Sequence, residues 1–408
     1  MIEKTKKYVF AGISKKVYTY FIDVLTVFVL ALILNLSCLP ILENLSSYKN
    51  ATTLVNEKVT EIYKIEEEAN LIDLVSLDGS KQDNPINRDD MFTKYVNRHI
   101  ALSYLKDSGN EFRNNNVTID NFKYGELTPE NDYLSYLYLE FIPSHDNSGF
   151  ESYGKEPMEY YINDILNKYL KDQNAFIVRD GIPYLNSSYG YNLYRYVIKE
   201  EKNHEAGKAN YDTLYSFFNK VLDNSLTIFS SYEPFKNIYS IYLSQYEFLI
   251  DSSILYQFII YVISFALMLA IIPLFTKNRT IGCYLSKTTL FDINEKKIKW
   301  YMLSAKKLCD FISMYWLNLV ISFFTIGMVG VAKSVFSIGS LNVSIFMFIF
   351  ISMILATISV VVGISREDKR CLSELVSNTI YLTEEKEFVV NKKQDLIEIE
   401  ENKVEKDA

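Results

Sequence analysis

The stretch YTYFIDVLTVFVLALILNLSCLPIL, Tyr18 to Leu42, decides the fold. An apolar run of about 20 residues is what a helix needs to cross the roughly 30 Å hydrocarbon core of a bilayer. One ionisable residue lies inside it, Asp23, and an acid so placed is costly unless it faces a partner or water. Lys15 and Lys16 come just before the run. Lys16 and Asp23 are separated by close to two helical turns and fall on one face, with Thr19 and Thr26 between and beyond them.

Three further apolar runs follow, at 254–275, 311–331 and 343–364. With the first, at 18–42, they predict four transmembrane helices. The charges orient them. Residues 43–251 hold 33 acidic and 20 basic side chains, so the net charge of −8 hides a basic remainder. From Lys277 to Lys307 there are eight Lys or Arg against two acids, and such excess marks the cytoplasmic side of a span. The predicted order is a basic cytoplasmic arm (1–17), the first span, an extracytoplasmic domain (43–251) and the second span. A cytoplasmic basic loop (276–310), the third span, a short outer turn (332–342), the fourth span and a cytoplasmic tail (365–408) complete it. Both termini are then cytoplasmic. The fold class expected is an all-α membrane protein with a mostly helical or α+β outer domain.

The basic start fits the n-region of a secretion signal, but the apolar run is too long and no small-x-small site follows. Asn35 also stands where a lipoprotein cleavage box before Cys38 wants Leu, so an uncleaved anchor is expected. The four cysteines, Cys38, Cys283, Cys309 and Cys371, all lie outside 43–251, which excludes a disulfide framework there. The acidic domain argues against nucleic acid as a partner.

Within it, apolar residues at helical spacing predict an amphipathic helix over 52–75, a loop over 78–90, and helices at 91–106, 130–142, 156–171, 190–203 and 210–225. AFIVRDGIPYL, 175–185, alternates around Asp180-Gly181 as a hairpin does. No internal repeat is present. From Thr383 onward the tail is rich in Glu and Lys with few aromatics, the composition of a disordered or loosely helical segment.

Three separated pieces share a pattern: KVYTYFID (Lys16 to Asp23), RTIGCYLSKTTLFDINEKKIKW (Arg279 to Trp300) and KRCLSELVSNTIYL (Lys369 to Leu382). Together they resemble the RDD family of bacterial multi-pass membrane proteins. In that resemblance Lys16 stands where the family has Arg, Asp23 matches the first Asp, and Glu374 stands where the second Asp is expected. Thr280, Ile281 and Gly282, preceded by Arg279, match the loop after the second span, and Thr379 matches the closing Thr. Cys283 replaces a usual basic residue. Arg to Lys loses the planar guanidinium fork. The resemblance covers roughly 170 of the 408 residues and leaves out the large domain between the first two spans. It implies a bacterial inner-membrane location, and cation/proton antiport has been proposed for some members of the family.

Each motif has a structural and a functional reading. Asp23 is a candidate ion or proton ligand, paired with Lys16 or with a polar group such as Asn318. Only about one and a half turns inside the span, however, its carboxylate can reach the headgroups, and structural pairing is favoured. The loop after Gly282 alternates and contains a turn, so TLFDINEKKIKW reads as a hairpin against which Glu374 and Thr379 dock. His99, His145 and His204 are scattered and build no zinc site of three or four ligands. No His-Glu-x-x-His, P-loop, Gly-x-Ser-x-Gly or Cys-x-x-Cys is present, so catalysis, metal and cofactor are not expected. The tyrosines of the outer domain, such as Tyr133, Tyr136 and Tyr138 or the run Ser187 to Tyr196, suit a binding surface or a cysteine-free core. Core packing is favoured. The expectation is therefore a binding or accessory membrane protein acting through its outer domain on a protein or peptide. A cation/proton-coupled transporter using Asp23 is the alternative. The bilayer is a partner in both, and four spans are few for a transport path unless the protein is a homo-oligomer.

Overall fold

The computed structural model describes residues 8–105, 133–145, 148–170, 174–179, 182–276, 279–294, 298–323, 333–338 and 341–384. The chain is mostly helical and divides into two compact units, residues 50–247 and the remainder. It opens with a short strand, β1 (Tyr8–Phe10), and then α1 (Ile13–Glu43). The helix runs through Pro40 instead of ending there. In the last turn the missing N–H of proline costs one hydrogen bond, and the Pro40 carbonyl still accepts from Asn44 at 3.1 Å. Its inward face carries Lys16, Thr19, Asp23, Val27, Ala31 and Asn35 at three- and four-residue spacing. Its other face shows Phe21, Leu25, Val29 and Leu36 to the surroundings.

The unit 50–247 is a helical array around an aromatic core. Helix α2 (Ser46–Glu68) starts earlier and stops sooner than the spacing suggested, and residues 71–87 are loop with one bridge, Val75 to Lys81. Helix α3 (Arg88–Ile100) is capped by Asn87, whose carbonyl oxygen accepts from the Asp90 N–H at 2.8 Å, with Asp89 and Asp90 in the first turn. It continues as a wider π-helical turn over Ala101–Leu105. The next helical elements follow the expected positions: α4 (Tyr133–Tyr136, extended to Ser144), α5 (Pro157–Tyr160, extended to Tyr169), α6 (Ser187–Leu193, extended to Ile198) and α7 (Glu205–Phe229). Strands β2 (Phe176–Arg179) and β3 (Ile182–Leu185) pair antiparallel as the predicted hairpin, whose turn, Asp180-Gly181, lies outside the described residues. The predicted helical positions 106 and 130–132 also lie outside them. Tyr95, Tyr138, Phe92, Phe217 and Phe218 fill the core. The Tyr138 hydroxyl accepts from Asn224 at 2.9 Å and Ser225 at 3.0 Å, so a buried phenol keeps its polar tip satisfied. Tyr189 and Tyr194 are also buried, Tyr196 is half-buried and Tyr191 is exposed, so the run 187–196 is divided between core and surface.

The other unit resumes at Phe248, within α8 (Glu233–Phe265, extended to Phe275), and continues with α9 (Ile281–Ser286) and β4 (Thr288–Asp292). Next come α10 (Trp300–Met314), α11 (Leu317–Phe323), the antiparallel hairpin β5 (Ser334–Ile338) and β6 (Leu341–Ser344), and α12 (Ile345–Ser365). A short helix, α13 (Leu372–Val376), leads into β7 (Thr379–Glu384). Among the described residues three helices are long and apolar enough to cross a membrane: α1, α8 with its extension, and α12. A packed core joins Val24, Val27 and Ala31 of α1 to Ile260, Tyr261 and Phe265 of α8 and to Met314 of α10 and Leu317 and Ile321 of α11, while Ile345 and Ile349 of α12 belong to a second, smaller cluster.

Four expectations are corrected. The predicted span at 311–331 is not one helix. It starts inside α10 and breaks at Tyr315-Trp316, where N–H groups reach back three residues to the carbonyls of Ile312, Tyr315 and Trp316. Residues 324–331 lie outside the described residues. The turn expected at 332–342 contains the β5–β6 hairpin, since the segment alternates on either side of Gly339-Ser340. The unit is not all-α: β1, β7 and β4 form one antiparallel sheet in that order. Finally, β4 does not fold back on the residues that follow it but pairs with β7, Leu290 opposite Tyr381 and Asp292 opposite Thr379. β4 alternates and buries one face, while β7, the central strand, is buried along 379–383, and the two pair along their length. The tail expectation holds for no residue up to Glu384, which are in β7, and from 385 onward it lies outside the described residues.

Candidate functional site at the N-terminal end of the first span

The three sequence pieces that carried the resemblance meet in one buried cluster. Lys16 on α1 donates to both Glu374 carboxylate oxygens at 2.9 Å and to the Lys369 carbonyl at 2.6 Å. That carbonyl is offered by a left-handed residue, Lys369 at φ 54°, in a loop where Arg366 and Arg370 bracket Asp368. The Arg366 guanidinium beside Asp368 holds its carboxyl well below the usual range. Glu374 also accepts from the backbone N–H of Cys371 at 2.8 Å and of Tyr381 at 2.9 Å. It is 1% exposed, a buried carboxylate with an ion pair and two backbone donors.

Asp23 is bound elsewhere. Its Oδ2 accepts from the Thr280 hydroxyl at 2.8 Å and its Oδ1 from the Gly282 N–H at 2.9 Å. Thr280 is the N-cap of α9, and its hydroxyl oxygen accepts from the Cys283 N–H at 3.1 Å. The carboxylate thus sits on two donors from the first turn of a helix, where its charge is also favoured. Gly282 is required by close approach. A Cβ there would lie 2.7 Å from Asp23 Oδ1 and nearer still to the Thr19 carbonyl.

Lys16 and Asp23 share a buried face, as their spacing predicts, but they are not partners. Each reaches across to a different segment, Lys16 to the C-terminal one and Asp23 to the loop after α8. Neither of the two hydrogen bonds of Asp23 comes from Asn318, and Asp23 is 5% exposed, which corrects the reading in which it reaches the headgroups. Thr19 donates to the Ser286 hydroxyl at 2.7 Å, and Ser286 and Thr288 share a hydrogen bond of 2.8 Å. Arg279 donates to Thr289 at 2.5 Å, which ties the loop to β4. Thr379 is fully buried, its hydroxyl 2.7 Å from that of Ser377.

Sequence reasoning missed a second buried pair. Lys306 donates to both Asp310 oxygens at 3.1 Å and to the Ser373 hydroxyl at 3.2 Å, with its ammonium 5.1 Å from the centre of the Tyr381 ring. The signal was an oppositely charged i, i+4 pair, Lys306 and Asp310, next to an apolar run. Between the two ion pairs lies a cavity of about 90 Å³ with Tyr20, Asp23, Lys306, Asp310, Ser359 and Glu374 in its walls. Cys371 also lines it, and burial pushes its thiol up to about 11, so it stays protonated and poorly nucleophilic. The cluster combines acceptors and ammonium groups whose hydrogen bonds are largely internal, the chemistry of a clamp.

The three histidines occupy separate places in the other unit. His99 packs its edge on Tyr95 at 4.4 Å, His145 stacks on Phe141 at 4.2 Å, and His204 caps α7 by accepting from the Gly207 N–H at 2.8 Å. Among the described residues no group of three His, Cys, Asp or Glu is placed to hold a metal. A scan of protein-family models and searches of curated proteins and of solved structures found nothing that matches this chain.

Proposed function

We propose that this is an RDD-like integral membrane protein of the bacterial inner membrane, a binding or accessory component that uses residues 43–251, outside the cytoplasm, to engage a protein or peptide. In this reading the chain spans the membrane four times with both termini inside, and the buried cluster is its cytoplasmic clamp. The observation that carries it is the convergence of Lys16, Asp23, Thr280, Gly282, Glu374 and Thr379, distant in sequence, into one cluster. The domain's part rests on its being a compact unit with its own aromatic core and exposed tyrosines such as Tyr191. A photo-crosslinking residue at 191 in the intact protein is expected to capture one defined envelope partner in cells, and the same probe at buried position 138 none. Equal capture at both positions counts against the reading.

A second reading, cation/proton-coupled transport, is favoured by the cavity with Asp23 and Asp310 in its wall. Asp23→Asn should then stop flux in reconstituted vesicles, and undiminished flux sinks it.

A further inference from the structure

Helix α10 is built inside out. Its buried face carries Met302, Lys306, Asp310 and Met314, one residue per turn, and the two charged ones pair there. Its opposite face carries Trp300, Ser304, Leu308 and Ile312, the three apolar ones 80, 60 and 43% exposed, and the remaining charge of the helix, Lys307, is half-buried at its side. An amphipathic helix in water has the reverse arrangement, with charge outward and the apolar stripe against the core. Large apolar side chains presented over three turns behind a buried charge pair suit hydrocarbon.

The exposed face also continues an apolar surface. Helix α10 packs on α12, whose Phe350, Ile354 and Val361 are likewise exposed, and α12 is one of the three helices fit to span a membrane.

We infer that α10 and α11 are the two halves of one broken span that enters the bilayer at Trp300, not at the apolar run from Phe311, and that the outward face of α10 lies against acyl chains. Trp300 and Tyr301 then sit in the interfacial belt where such rings concentrate. The Lys306–Asp310 pair and the cavity beside Asp23 lie below the headgroups. This rests on the membrane reading above and deepens it: a segment with the charge signature of a cytoplasmic loop is part of the lipid-facing wall.

The chain has two tryptophans, Trp300 and Trp316, which makes the test direct. Trp316→Phe leaves Trp300 as the single reporter in vesicles of phosphatidylcholine and phosphatidylglycerol. Bromines near the carboxyl end of the acyl chains should cut its emission by about half, bromines near the methyl end should cut it less, and aqueous iodide should barely affect it. Strong iodide quenching without a bromolipid effect overturns the inference. Protection from both quenchers also overturns it, since protein would then cover the face. Alkaline extraction of the same vesicles separates the two claims. Release by alkali sinks the membrane reading, while retention with iodide-quenched Trp300 sinks this inference alone. Should Trp316→Phe not fold, Leu308→Cys in the otherwise intact chain is expected to gain no maleimide labelling over background until detergent is added, and labelling in intact vesicles overturns the inference.

Discussion

Lys16 and Glu374, 358 residues apart, form a buried ion pair in which both carboxylate oxygens lie 2.9 Å from one ammonium. The pair joins the first helix to the segment after α12, and Glu374 in turn holds the N–H groups of Cys371 and Tyr381. Desolvation offsets much of the attraction in such a pair, so its net contribution is small, but breaking it leaves an uncompensated buried charge.

Lys16→Met is therefore expected to destabilise the protein by about 3–5 kcal/mol. Adding Glu374→Leu removes the orphan charge and should recover part of that loss. Recovery stays incomplete, because two backbone donors then lack their acceptor at about 1–3 kcal/mol each. Thermal unfolding in detergent measures both. A double variant as stable as the parent would show that the backbone bonds of Glu374 contribute nothing.

Gly282 gives a second, steric prediction. Gly282→Ala pushes a methyl into the Thr19 carbonyl and the Asp23 carboxylate, whereas Gly12→Ala meets nothing within 4 Å. A helix-interior Gly to Ala change alone would stabilise by about 0.5–1 kcal/mol. The expected outcome is a clearly lower melting temperature for Gly282→Ala and a smaller loss for Gly12→Ala, since Gly12 is the N-cap of α1, a position that prefers Gly to Ala. Equal shifts in the two would contradict the close approach.

What could be read beforehand divides along physical lines. The apolar runs gave α1, α8 and α12, because burial in lipid writes itself into consecutive residues. The start of α10 was hidden, since Lys306 and Asp310 interrupt the run and only the burial pattern shows that they face inward. Thr280 and Gly282 were marked only by the resemblance, and the capping role of the one and the close approach at the other came with the structure. The pairings Lys16 to Glu374 and Leu290 to Tyr381 join residues with no local mark of each other. The resemblance had put Lys16, Asp23 and Glu374 together without saying that Asp23 would bind α9 instead of Lys16.

Asp23 itself is tested by shape against charge. Asp23→Asn keeps an acceptor for Gly282 or Thr280 and should cost about 1–3 kcal/mol, while Asp23→Leu orphans both donors and should cost more. If the residue acts as a clamp, stability tracks the number of hydrogen bonds kept. Equal stability of the two variants would remove the clamp role from this residue.

The last prediction concerns pH and the unit 50–247. Burial pushes Glu66, near the end of α2, up to about 7. An unfolded glutamate titrates near about 4.3. Between those values the native state keeps a proton that the unfolded chain has released, so the native form binds more protons and stability falls as pH rises. The stabilising preference is fully present below about 4.3, is lost as pH climbs to about 7, and is flat above that. Glu66→Gln carries no titrating proton and should remove this slope, so its gain in melting temperature over the parent is larger at about pH 8 than at about pH 5. The measurement is the unfolding of the intact protein followed by tyrosine fluorescence, which reports mainly on this Tyr-rich unit. A difference between parent and variant that stays constant across the window would show that Glu66 titrates in the folded protein as it does in the unfolded chain.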